Sequence, residues 1–465
     1  MAKAKSIFRC TGCGHQVPKW FGRCPDCGEW GTISESAPAA VAARTGTTSV
    51  APSSPAVRIT DVASDSATAT PIGIAEFDRV LGRGVVPGSV ILLAGEPGVG
   101  KSTLLLETVK HWAAQGKTAL YVTGEESAGQ VRLRAERTDA VHDNIYLASE
   151  TDLSTVLGHV EAVSPTLLIV DSVQTMVATG TDGVTGGVTQ IRAVTTALVS
   201  LAKTSGIAII LVGHVTKDGN VAGPRSLEHL VDVVLSFEGD RHSSLRMIRG
   251  IKNRFGPSDE VGCFEQRSDG IHQVSDPSGI FVHQHESDVS GSAALVAMDG
   301  RRAMVGQIQA LLNDTKMTSP RRAVSGLDSA RVAMMLAVAE KHAGITASSK
   351  EVYASTVGGM KVSEPAADLA IFLALYSSFF DKPIPSTTVA IGEVGLVGEV
   401  RRVSSIARRV AEAKRLGFRH VIIPVGSDEE MPKGIAITRV NNLLEAKTAI
   451  SAKEAPRRDY AEAPF

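Results

Sequence analysis

The sequence predicts an α/β protein: a parallel sheet covered by helices on both faces, with a small metal-stapled module before it and a second α/β region after it. Three observations carry this reading. The segment Gly95-Glu96-Pro97-Gly98-Val99-Gly100-Lys101-Ser102 matches GxxxxGK[ST] and lies between an apolar run at 90–94 and a helical stretch at 103–115. Continuous apolar runs at 90–94, 119–122, 167–170 and 208–212 alternate with helical stretches, as strands buried on both faces do. Two CxxC pairs, Cys10/Cys13 and Cys24/Cys27, open the chain.

The 465 residues allow about three domains, and a hydrophobic content of 43% is ample for packed cores. A formal charge of -1 gives no general attraction to nucleic acid, but residues 1–33 set Lys3, Lys5, Arg9, Lys19 and Arg23 against Asp26 and Glu29. That segment is a local basic module. No apolar run approaches the roughly 18 residues of a membrane span, and no signal-peptide core follows the first lysines. The expected location is the cytoplasm, where paired cysteines argue for metal rather than disulfides.

Taken in order, residues 1–33 are expected to form a C4 zinc ribbon. Ten residues separate the pairs and a glycine follows each second cysteine, so two tight knuckles can present the thiolates of Cys10, Cys13, Cys24 and Cys27 tetrahedrally to Zn²⁺. So short a segment needs the metal to hold its fold. For Trp20 and Trp30, packing over the metal site is favoured over contact with DNA or a partner, in which Lys19 and Arg23 would join. Residues 34–56 are rich in Ala, Ser, Thr and Pro with Glu35 and Arg44 as the only charges, a flexible linker. The α/β core spans 57–285. A second α/β domain spans 286–454, with helices over about 328–342 and 366–380 and a strand at 420–424. The tail, 455–465, is expected to be disordered.

In the core, glycines at 95, 98 and 100 let successive amides turn onto the phosphates of ATP, with Glu96, Pro97, Val99 and Thr103 completing the loop and its helix start. Lys101 reaches the β/γ-phosphates and the Ser102 hydroxyl ligates Mg²⁺. Open α/β sheets collect their chemistry at the carboxyl ends of strands. There stand Glu125, Asp171 and His214. The 167–171 strand reads as Walker B, with Asp171 on the Mg²⁺ shell. Ser172 follows it in place of a glutamate, so the group that orients water falls to Glu125, with Glu126 as second choice, an arrangement that resembles the RecA-like ATPases. His214 holds the place of their γ-phosphate sensor; a surface histidine fits equally. The stretch 216–229, with Lys217 and Arg225, and the glycine-rich stretch 176–190 suit loops that grip DNA, and ordinary surface loops fit their composition as well.

Lys252-Asn253-Arg254-Phe255-Gly256 narrows the choice. With the zinc module, the phosphate loop and the C-terminal region in this order, the chain resembles the bacterial RadA (Sms) family across nearly its whole length. The resemblance implies a recombination and repair ATPase that binds single-stranded DNA and branched recombination intermediates. It further implies a homo-oligomeric ring, hexameric in that family, that works as a DnaB-like helicase in branch migration with the recombinase RecA as partner. Lys252 and Arg254 match cations that RecA-like rings insert into the neighbouring ATP site.

The C-terminal region resembles the Lon protease domain in 391–400 and 421–424. The Lon serine falls on Ala366 and its lysine on Ala407, so the dyad is missing and no peptidase activity is expected. Arg401, Arg402, Arg408, Arg409, Lys414 and Arg415 offer charge for DNA, or form a solvated basic face. A regulatory RecA-like scaffold without motor activity is the alternative function, and an ATP-dependent protease is disfavoured.

Overall fold

The computed structural model describes residues 7–10, 13, 15–17, 19–36, 56–61, 68–214, 227–239, 243–281, 288–427 and 429–450. The chain forms two compact units, Met1–Ser64 and Asp65–Phe465. Among the described residues, no helix is long and apolar enough to cross a membrane.

The first unit holds β1 (Ile7–Cys10), β2 (Gln16–Val17) and β3 (Ile33–Ser36), an antiparallel sheet in the order β2-β1-β3. β3 runs to Ser36, past the expected start of the linker, because its residues pair with β1 as far as Ser36 opposite Ile7. The rest of the linker as far as residue 55, and the tail, lie outside the described residues.

The second unit begins with α1 (Ala75–Leu81), β4 (Val90–Gly95), α2 (Lys101–Ala114), β5 (Ala119–Thr123), α3 (Ala128–Arg137), β6 (Ile145–Ser149), α4 (Leu153–Val163), β7 (Leu167–Asp171), α5 (Val188–Ser205), β8 (Ala208–His214), β9 (Val233–Gly239), β10 (Leu245–Asn253), β11 (Val261–Arg267) and β12 (Gly270–Gln273). They build one sheet, β12-β11-β10-β9-β4-β8-β7-β5-β6. Its pairs from β9 to β6 are parallel and those from β9 to β12 antiparallel. Strand alternation divides the core: Ile91 and Leu93 pack with Phe77, Leu104, Val109 and Val131, whereas Val90 and Leu92 pack with Val156, Val160, Val194 and Leu198. α1, α2 and α3 therefore cover one face and α4 and α5 the other, as long apolar strands require.

Then follow α6 (Ser278–Phe281), β13 (Ser292–Asp299), β14 (Arg302–Asp314), β15 (Arg322–Ser325), α7 (Ser329–Ala343), β16 (Lys350–Thr356), α8 (Asp368–Phe380), β17 (Thr388–Ala390), β18 (Glu393–Val394), β19 (Val400–Arg401), α9 (Ile406–Arg415), β20 (His420–Pro424), β21 (Ala436–Val440) and α10 (Leu443–Ala449). The larger sheet here is β15-β16-β14-β13-β17-β20-β21. Leu336, Leu369, Phe372 and Leu443 of α7, α8 and α10 pack in one core, and Ile406, Val410 and Ala413 of α9 in another.

The β13–β14 turn joins the two sheets. Arg302, buried, ion-pairs with Glu76, 1% exposed, and donates to the Ser275 carbonyl at 2.8 Å. The Glu76 carboxylate also accepts the Cys263 amide at 2.9 Å. Beside it Arg249 Nη2 donates to Asp299 at 2.7 Å. Gly300 sits at φ +55° with the Asp259 carbonyl 2.1 Å from where a Cβ would stand, so only glycine lets the turn dock this closely.

Arg302→Ala leaves the Glu76 carboxylate buried without its main counter-charge. Such a change is expected to cost about 3–5 kcal/mol, read as a lowered urea-unfolding midpoint. A midpoint unchanged from the parent would show that the two sheets do not rely on this pair.

Candidate functional site

β4 leads straight into the phosphate loop. Gly95 lies against β9, where a Cβ would stand 2.4 Å from the Phe237 carbonyl, and Gly100, at φ +108°, would drive a Cβ to 2.5 Å from the Gln266 side-chain oxygen. A side chain at 95 would meet fixed backbone and displace the loop, and one at 100 would be strained by the positive φ. α2 then starts at Lys101 with no side-chain cap, so its first amides remain available to an anion. Glu96, Pro97 and Gly98 are exposed, Val99 is buried, and Ser102 and Thr103 are half-buried on the first turn. Arg246 Nε braces the loop from β10 by donating to the Val99 carbonyl at 3.1 Å.

Lys101 is 4% exposed and donates to the carbonyls of Gly95 at 2.8 Å and Glu96 at 2.9 Å. Burial lowers its pKa to about 8, against the opposing pull of Asp171 and Glu125. Lysine and both carboxylates thus lie within one electrostatic neighbourhood at the carboxyl ends of β4, β5 and β7. Asp171 is buried and accepts a 2.7 Å hydrogen bond from the Tyr121 hydroxyl. Burial, then Asp171, push the Tyr121 phenol well above its ordinary range, so it stays a donor.

The two candidate glutamates have different partners. Glu126 ion-pairs with Arg134, whereas Glu125 accepts from the Ser172 hydroxyl and from His214 Nε2, the latter at 2.8 Å. Burial raises the Glu125 carboxyl, but the Ser172 and His214 contacts outweigh it and hold it below the ordinary carboxylate range. An ionised carboxylate facing a lysine across the mouth of a phosphate loop can orient a water. The other ring nitrogen of His214, Nδ1, is buried with no hydrogen-bond partner among the described residues. Lys217 and Arg225 lie outside the described residues. Of the 176–190 stretch, Met176 and Gln190 are buried and Val184 is exposed.

Lys252 and Arg254 stand elsewhere. β10 runs antiparallel to β9 so that Asn253 pairs with Val233, which pairs in turn with Ile91; both cations therefore lie at the end of the sheet opposite their own phosphate loop. A register shift between Gly250 and Lys252 re-aims the strand there. Lys252 Nζ donates to the carbonyls of Glu228 at 2.6 Å and Val231 at 2.8 Å. Desolvation, then Arg254, lower its pKa. Asn253 donates to the Val80 and Leu81 carbonyls at the end of α1, and Arg254 Nη1 meets Asp232 at 3.1 Å. The pentapeptide thus also serves as a clasp within its own chain.

In the first unit the sulfurs of Cys10, Cys13, Cys24 and Cys27 all lie within 4.8 Å of one another, with Cys10–Cys27 and Cys13–Cys24 at 3.6 Å. Four thiolates so placed fit Zn²⁺, whose tetrahedral Zn–S bonds of about 2.3 Å put sulfurs just under 4 Å apart. The tryptophans do not pack over this cradle, contrary to the favoured expectation: Trp20 is 61% and Trp30 76% exposed, because Phe8, Val17 and Ile33 already fill the small core with Cys10 and Cys24.

One member of the expected basic face, Arg409, needs correcting, while Arg401, Arg402, Arg408, Lys414 and Arg415 are exposed. Arg409 is 1% exposed and braces the domain interior, bonding both Glu364 oxygens at 2.6 and 2.7 Å and the Val296 carbonyl at 2.7 Å. Arg415 pairs with Glu412 and Asp276, Arg401 with Glu399, Arg408 with the Arg301 carbonyl, and Lys414 with the Lys433 carbonyl. Tyr121, Arg134, Asp232 and Arg246 escaped the sequence reading. A tyrosine inside a wholly apolar strand needs a partner for its hydroxyl, which was the available signal for Tyr121.

A parallel sheet in which β8 separates the phosphate-loop strand β4 from the carboxylate strand β7 defines a RecA-like P-loop ATPase fold, here with a zinc ribbon and a C-terminal α/β domain. Residues 75–220 match the AAA domain family, 8–35 the rubredoxin metal binding domain, and 340–427 subunit ChlI of Mg-chelatase. The DNA repair protein RadA of Mycolicibacterium smegmatis is 55% identical over 455 residues, covering 96% of this chain and 97% of the relative. RadA of Bacillus subtilis is 43% identical over 454 residues, covering 96% and 98%, and RadA of Streptococcus pyogenes serotype M1 is 42% identical over 452, covering 97% and 100%. The chain belongs to the RadA family of DNA repair proteins.

Two outcomes follow from this geometry. Without nucleotide, both folded and unfolded Lys101 are protonated below pH 8, and the desolvation cost is present in full; as pH climbs from about 8 towards 10.5, folded Lys101 loses its proton first and the cost fades. The stability of the parent relative to Lys101→Met should therefore rise across that window, and a difference flat in pH would contradict it. Chelation of the metal should abolish folding of the first unit. This is read as lost dispersion of its amide signals while those of the second unit persist.

Proposed function

We propose that this chain is a DNA-dependent ATPase of recombination and repair, acting on single-stranded DNA and branched intermediates as a ring-shaped helicase in branch migration. The observation that carries the ATPase part is Glu125, ionised between Ser172 and His214 and facing Lys101 and Asp171. In this reading the loop from Gly95 to Thr103 wraps the triphosphate and Lys101 moves from the Gly95 and Glu96 carbonyls to the β/γ-phosphates. Ser102 and Asp171, the latter aligned by Tyr121, hold Mg²⁺, which supplies neutralising charge for phosphoryl transfer. Glu125 orients the attacking water, and His214 registers the γ-phosphate through the same carboxylate.

Lys252 and Arg254 reach a neighbouring subunit's ATP site in a homo-oligomeric ring, hexameric in this proposal. Their position at the sheet end away from their own loop supports a role in trans. A recombinase of the RecA type is the proposed partner, and Lys217 and Arg225 the proposed DNA contacts. Ala366 and Ala407 at the Lon dyad positions speak against peptide hydrolysis.

Single-stranded DNA should raise the ATPase rate of the purified protein. Lys252→Ala or Arg254→Ala should abolish that stimulation while nucleotide binding survives. Normal stimulated turnover in both variants would refute the trans role, and no stimulation of the parent would favour a regulatory scaffold.

A further inference from the structure

We infer that the exposed indoles of Trp20 and Trp30 form a stacking platform for unpaired nucleobases, so that the zinc ribbon reads single-stranded nucleic acid by its bases. The inference rests on the DNA reading above and assigns the ribbon a part in it.

The two rings share one site. Both reach the point where a Cβ on Gly22 would stand, Trp30 to 3.6 Å and Trp20 to 3.8 Å, so the residue without a side chain leaves a gap between them. The Trp20 ring and the Trp30 backbone are also held in place. Trp20 Nε1 donates to the Ile33 carbonyl at 3.0 Å, and Trp30 forms an antiparallel bridge with Arg23, whose guanidinium lies 5.9 Å from the Trp30 ring centre. Arg23 is fixed in turn by a 2.7 Å bond from its Nε to the Gly28 carbonyl. Rings ordered beforehand lose little entropy on binding.

Exposed aromatic rings flanked by cations are the elements of sequence-tolerant single-strand binding, in which bases stack and the backbone meets positive charge. Phe21, next to Trp20 in the chain, is 46% exposed, and Lys19 and Arg23, on either side in sequence, are exposed as well. Protein interfaces share the Trp, Phe and Arg found here, but their cores are depleted in charge and in Lys above all, whereas exposed Lys19 and Arg23 neighbour these rings in the chain. Here Val17 and Ile33 are buried in the ribbon's own core. The chemistry on offer suits bases better than an apolar protein surface.

The test compares full-length parent with the Trp20→Ala, Trp30→Ala double variant, each binding a dT oligomer and an abasic oligomer of equal length. Zinc content and basal ATPase rate serve as controls of folding. Stacking predicts that the parent prefers dT to the abasic strand, and that the variant, zinc-replete and with normal basal turnover, loses about tenfold or more of that preference. Intrinsic fluorescence gives a second readout, since the remaining tryptophan, Trp112, is 4% exposed and bonded to Thr166; dT should quench the parent and not the double variant. An unchanged preference in a zinc-replete variant overturns the platform alone and leaves the face to a protein partner. Loss of zinc from the double variant moves the comparison to the single variants Trp20→Ala and Trp30→Ala, each of which, zinc-replete, is expected to lose part of the preference, and no loss in either overturns the inference. Failure of the parent to bind either oligomer overturns the DNA reading and the platform with it.

Discussion

Asp232 is the fixed point around which the nucleotide core is organised. It is 3% exposed, and its carboxylate accepts the amide of Val90, where the phosphate-loop strand begins, at 3.0 Å. It also accepts Lys203 Nζ of α5 at 2.7 Å and Arg254 Nη1 at 3.1 Å. A buried carboxylate is tolerable only when its lone pairs are so occupied. One side chain therefore ties the root of β4, a covering helix and the KNRFG segment. Any movement of Arg254 towards a neighbouring subunit would remove a charge from this group and be felt at the base of the phosphate-loop strand.

β10 extends that linkage. At one end Arg246 braces the Val99 carbonyl in the loop; in the middle Arg249 pairs with Asp299 of the C-terminal domain; at the far end come Lys252 and Arg254. Together with the buried Glu76–Arg302 pair, these contacts pin the β13–β14 turn of the C-terminal sheet to α1 and β10 of the ATPase domain, the two sheets remaining separate. A packed junction of this kind transmits displacement rather than absorbing it. The C-terminal domain is thus held by the same strand, β10, that braces the phosphate loop.

Much of this was legible in the sequence, for a physical reason in each case. β4, β5, β7 and β8 are buried on both faces and so read as unbroken apolar runs, each observed one or two residues longer than expected: β7 and β8 end on the polar site residues Asp171 and His214, β4 and β5 on Gly95 and Thr123. β6 escaped notice because it is an edge strand with Tyr146 exposed and only Ala148 buried. β9 to β12 were missed since their burial is uneven and β10 to β12 pair antiparallel. Long-range partners were invisible: nothing local tells Arg409 from Arg408, yet Glu364 draws the first into the interior. Trp20 and Trp30 erred the other way, since a core already closed by Phe8, Val17 and Ile33 has no room for an indole.

The distribution of charge sets a limit on how such a chain can hold DNA. With a formal charge of -1, the molecule has no general field to attract a polyanion. Of the α9 cations that composition suggested, Arg409 is buried against Glu364 and Arg415 pairs with Glu412 and Asp276, whereas exposed Arg408 and Lys414 keep their charge and donate only to carbonyls. Binding through phosphates alone would need many such groups at once, and would weaken steeply with salt. A protein of this charge gains more per residue from contacts that do not depend on net charge, and base stacking is one of them. Exposed indoles on a small metal-held ribbon are therefore consistent with the near-neutral charge of the whole chain, since together they favour recognition of bases over attraction to backbone.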